Sequence, residues 1–176
     1  MHMSQTKKIT LSALLVALGT VFMIIGATIE VLDLTVCAMA SLLVVFVFLE
    51  IGSYYPWLVW ICTSLATALL YSGSIIWMEY ALVFGIYPLI KAYIEKLPRW
   101  SWIIVKLAYI NAVIWALFAV CELWLGLPFF DTDGTLMTVI LYVLMNLAFI
   151  AYDVFISVMV RFYFLKLRPK IKKFLK

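Results

Sequence analysis

Histidine is almost missing from this chain: the only one is His2, at the extreme N-terminus. General acid–base catalysis by imidazole, Ser-His or Cys-His nucleophiles and histidine-ligated metals are therefore all without their central residue. Charge is equally scarce, at 12% of positions. A soluble domain carries about twice that. The three cysteines, Cys37, Cys62 and Cys121, each sit inside an apolar run with no metal-like spacing, so they read as small packing residues and not as a disulfide framework. No glycine-rich phosphate loop or other nucleotide-binding motif is present, so ATP is not hydrolysed by this chain.

What the chain has in abundance is apolar surface. Of its 176 residues, 68% are hydrophobic, with a mean hydropathy of +1.16. The apolar runs predict an all-α polytopic membrane protein: one integral membrane domain over residues 1–176 with six spans, at about 9–29, 33–50, 55–72, 74–94, 101–126 and 135–165. The connectors are short and punctuated. They are Glu30–Asp33, Glu50–Pro56, Ser72–Gly73–Ser74, Glu95–Arg99, and a longer stretch from Gly126 to Gly134 that reads as an ordered loop or re-entrant cap. Pro56 suits the first turn of a helix, where its missing N–H is not needed. Pro88 should interrupt the fourth span near Phe84, whose carbonyl it cannot serve. The first span is too long for a cleavable signal and lacks a small-residue cleavage site.

Orientation follows from charge, because cytoplasmic segments collect Lys and Arg. With both termini inside, the inner segments hold all 13 basic residues, from Lys7 and Lys8 through Lys91, Lys96, Arg99 and Lys106 to the tail beyond Arg161. The outer half holds Glu30, Asp33, Glu79, Glu122, Asp131 and Asp133. The basic tail, 166–176, suits anionic lipid headgroups better than nucleic acid.

Polar residues at membrane depth form stripes. The third span carries Trp60, Ser64, Thr67 and Tyr71 on one face. The fifth carries Asn111, Trp115, Phe118 and Glu122, and the sixth Tyr142, Asn146, Asp153 and Ser157. Near the outer end of the fourth lie Trp77, Glu79 and Tyr80. A candidate substrate site collects Tyr71, Trp77, Glu79, Tyr80, Trp115, Glu122, Tyr142 and Asn146. Carboxylates walled by aromatic rings suit a flat cation. The same residues also fit a plainer role, as an interfacial aromatic belt, headgroup-level acids and interhelical asparagine contacts. Asp153 and Lys106 lie at comparable depth and are expected to form a structural ion pair. On the first span, Ser12, Ala13, Ala17, Gly19, Thr20, Gly26 and Ala27 share one half of the helical wheel. Helices in lipid associate through such small-residue faces.

Six spans in this length, both termini inside, and Ala13-Leu-Leu-Val-Ala17 on span one resemble the S components of energy-coupling factor (ECF) transporters. The resemblance implies a bacterial cell-membrane subunit that captures a vitamin from outside, without cofactor or chemistry of its own. It implies docking of Ala13 and Ala17 on a coupling transmembrane subunit driven by two ABC-type ATPases. Glu79-Tyr-Ala-Leu-Val-Phe-Gly85 is similar to the acidic-Tyr-x-x-x-Phe-Gly segment of thiamine S components, where the acid meets a cationic ligand. Tyr142 and Asn146 are similar to a Tyr-and-Asn pattern on the last helix of that group. Two other classes remain open. A structural or assembly protein of the envelope needs the small-residue face but no ligand site, and a lipid-modifying enzyme has only scattered acids to offer.

Overall fold

A computed structural model describes residues 4–125 and 135–169. Every regular element among them is helical, as an all-α membrane protein requires. The chain divides into two compact units, Met1–Leu127 and Pro128–Lys176.

The first unit holds α1 (Gln5–Thr28), α2 (Asp33–Glu50), α3 (Tyr55–Leu70), a fourth span in pieces, and α6 (Arg99–Leu125). The fourth span consists of α4 (Ile76–Glu79), a π-turn (Tyr80–Phe84) and α5 (Tyr87–Ile94). The second unit holds α7 (Thr135–Phe162), followed by a π-turn at Tyr163–Leu167. These helical elements fall within the six apolar runs of the sequence, with ends displaced by up to a few residues. Four helical stretches are long and apolar enough to cross a membrane: Gln5–Thr28, Asp33–Glu50, Trp100–Val120 and Thr138–Leu167. The predicted loop at Gly126–Gly134, including Asp131 and Asp133, lies outside the described residues, as does the tail from Lys170 onward.

The core of the first unit forms where α1, α2 and α3 pack on one another and on the fourth span. Its centre is Met23, Cys37, Ala40, Val44, Val47, Val59, Ile76, Tyr80 and Leu89. Small residues set how closely these helices approach. A Cβ on Gly26 would lie 2.8 Å from Ile76 Cδ1 and 3.1 Å from Val36 Cβ, and one on Gly19 would lie 3.2 Å from Thr63 Cγ2. Close backbone approach of this kind replaces the hydrophobic driving force that lipid does not provide. Three hydroxyls within the bundle turn back on their own helices: Thr20 Oγ1 donates to Val16 O, Ser64 Oγ to Trp60 O and Thr67 Oγ1 to Thr63 O. That satisfies them without water.

At the opposite end of the fourth span from Glu79, Lys91 and Lys106 share one carboxylate. Their Nζ atoms lie 3.6 and 3.4 Å from Glu95 Oε1, and this ties α5 to α6. Lys91 is only 4% exposed, so the pairing offsets a charge that burial would otherwise disfavour. Asp153, the partner that the sequence suggests for Lys106, belongs to the second unit.

Candidate functional site

The site begins at the turn before α4. Ser74 Oγ accepts the Ile76 N–H at 3.3 Å, just before the helix begins. Glu79 falls in the first turn of α4, and Asp33 in the first turn of α2. Helix N-termini favour negative charge, which helps both carboxylates to exist there. The two lie within electrostatic range of each other, a repulsive arrangement. Glu79 is half-buried, and its Oε2 is buried with no hydrogen-bond partner among the described residues. The described Lys and Arg residues of this unit belong to the other ends of the helices: Lys7 and Lys8 lie in the first turn of α1, Lys91 and Lys96 near the end of the fourth span, Arg99 opens α6 and Lys106 lies in its early turns.

Immediately after Glu79 the helix widens. Gly85 N–H returns to Tyr80 O at 2.6 Å, five residues back, where an α-turn would send it to Ala81. Ala81 O instead accepts Trp60 Nε1–H from α3 at 3.0 Å, and Leu82 O accepts the Tyr109 hydroxyl from α6 at 2.7 Å. The residue four places after Phe84 is Pro88, which has no N–H to continue a regular α-helix there. The interruption ends where the Pro88 argument expects it. Gly85 is sterically required here, since a Cβ would lie 2.5 Å from Trp60 Cδ1 and 2.9 Å from Tyr80 Cζ.

The structure brings some of the predicted site residues together and separates others. Trp77 is half-buried, two residues from Glu79 on α4. Tyr80 is 1% exposed and belongs to the core, with its ring against Gly85. Tyr71 closes α3 and is 40% exposed. Trp115 is 62% exposed, because the inward face of α6 runs through Ile110, Ile114 and Phe118; Trp115 sits one residue, or about 100°, round from Ile114. The Glu122 side chain lies outside the described residues. Tyr142 and Asn146 are half-buried on α7 in the second unit, and Asn146 Nδ2 donates to Tyr142 O at 3.0 Å.

Ala13 and Ala17 are both exposed, beside Leu14 and Leu18. The other small residues of that half, Ser12, Gly19, Thr20, Gly26 and Ala27, are buried inside the molecule. The small-residue half thus divides between internal packing and a free flank.

Among the described residues, no group of three or more His, Cys, Asp or Glu side chains is placed to hold a metal ion. Trp60 appears in the sequence only as one member of a polar stripe, and Tyr109 carries no signal beyond being a lone phenol in an apolar run. Their partners are main-chain carbonyls, which sequence does not display. Comparison with family models, curated proteins and solved structures finds no match.

Proposed function

We propose that this chain is the substrate-capture subunit of an ECF-type importer, oriented with both termini inside. In that role it takes up a cationic, thiamine-like small molecule at the outer end of the fourth span and passes it inward when partnered by a coupling subunit and ABC-type ATPases. The observation that carries the reading is Glu79. Its Oε2 is buried and has no hydrogen-bond partner among the described residues, with another carboxylate, Asp33, in range. A carboxylate at membrane depth must be hydrated, paired or protonated, and a cationic ligand supplies the pairing. Trp77 offers an aromatic surface nearby. The position, at the broken start of a span, agrees with the general use of discontinuous helices for substrate sites in transporters.

The reading is tested by what the protein retains. Native mass spectrometry of protein purified in mild detergent from its own membranes should show one small organic cation held in stoichiometric amount. A protein that emerges empty from every detergent, or carries only phospholipid, would favour an envelope scaffold, the reading that the exposed Ala13 and Ala17 flank also fits.

A further inference from the structure

The π-turn after Glu79 is held by donors from two other helices. An α-helix in an apolar medium satisfies its own carbonyls, and an irregular turn survives there only if something else does so. Here Gly85 N–H is drawn to Tyr80 O, and the Ala81 carbonyl it would otherwise meet accepts Trp60 Nε1–H. One residue on, Leu82 O accepts the Tyr109 hydroxyl. Both donors are braced. Trp60 packs edge-to-face on Trp57, with ring centroids 5.9 Å apart, and its indole fills the space that only a glycine at 85 leaves open. Tyr109 stacks on Tyr87 at 5.7 Å. The two side chains grip consecutive carbonyls of the fourth span, from α3 and from α6.

We infer that Trp60 and Tyr109 are positioning residues that hold the fourth span in its π-register, and so fix the rotation of the segment bearing Trp77 and Glu79. If the donors are withdrawn, the nearest way to satisfy Ala81 and Leu82 is the regular α-register, with Gly85 N–H returned to Ala81 O. Removing the extra residue from the turn rotates everything N-terminal to it by about 100° and shifts it by about 1.5 Å relative to α5. Glu79 then leaves its place beside Asp33, and Met78, now 4% exposed, turns out of the bundle. The consequence for ligand capture rests on the function proposed above. The register claim does not, and it is measured separately.

Met78→Cys is made in a chain whose exposed Cys62 and whose Cys121 are replaced by serine, leaving the fully buried Cys37 as an internal monitor of the fold. Maleimide labelling in detergent is followed at both cysteines by mass spectrometry, in this parent and with Trp60→Phe or Tyr109→Phe added. Each substitution keeps a ring and removes the donor. Labelling at position 78 should rise at least tenfold in both variants while Cys37 stays protected. Protection of position 78 in both variants would overturn the inference. So would simultaneous labelling of 78 and 37, which marks a general loosening and not a change of register.

Discussion

Gly85 shows how much a single residue can determine in this molecule. With a hydrogen in place of a side chain, it lets the Trp60 indole reach the main chain of the neighbouring helix. A methyl group there meets Trp60 Cδ1 at 2.5 Å and the Tyr80 ring at 2.9 Å, and both rings belong to packed surroundings. Overpacking of this kind costs about 1–3 kcal/mol. Gly85→Ala should therefore lower the thermal midpoint in detergent clearly, while Gly73→Ala, where nothing lies within 4 Å, should leave it nearly unchanged. Equal midpoints for the two variants would mean that the Trp60 contact carries no strain. The sequence made the importance of this stretch visible through Glu79, Pro88 and the glycine, but assigned Tyr80 to the site. Tyr80 follows Glu79 directly, and adjacent helical residues point about 100° apart. Tyr80 accordingly faces the core, 1% exposed, while Glu79 is half-buried.

At the scale of elements, the helices were legible because each occupies one long apolar run, and turns such as Ser72–Gly73–Ser74 mark their ends. The interior of the fourth span was less so: a proline predicts an interruption, not the π-turn that answers it. On α1 the size pattern placed the small residues correctly on one half of the helix, yet that half spans two surroundings. Gly19 and Gly26 meet α3, α2 and α4, so their side of the helix is used up by internal contacts. Ala13 and Ala17 are left exposed, which makes them suitable for a partner's backbone. Ala13→Trp and Ala17→Trp should therefore fold with an unchanged thermal midpoint but fail to co-purify with a coupling subunit and its ATPases. Variants that pull down the same partners as the parent would show that this flank is not a docking surface.

At the scale of the whole molecule, charge separates along the helices. Lys91 and Lys106 are bound to Glu95 near the far end of the fourth span, while Glu79 and Asp33 lie in the first turns of α4 and α2. Basic residues inside and acids outside would let one end meet anionic headgroups and the other draw cations from solution. The sequence displays the segregation of the basic residues, because charge is read directly from residue identity. It could not display which acid is buried and unsatisfied, because that depends on the burial around Glu79.

The most direct measurement compares the parent and Glu79→Gln by calorimetry in detergent, using the cation identified on the natively purified protein. The substitution keeps the size and part of the hydrogen bonding and removes the charge. Loss of a charged hydrogen bond in a desolvated site is worth about 1.5–3 kcal/mol, so affinity should fall roughly ten- to a hundredfold. The variant should keep the parent's thermal midpoint in the absence of ligand, since no buried cation is orphaned by the change. Unchanged affinity in Glu79→Gln would contradict the account, because the carboxylate would then have no part in holding the ligand.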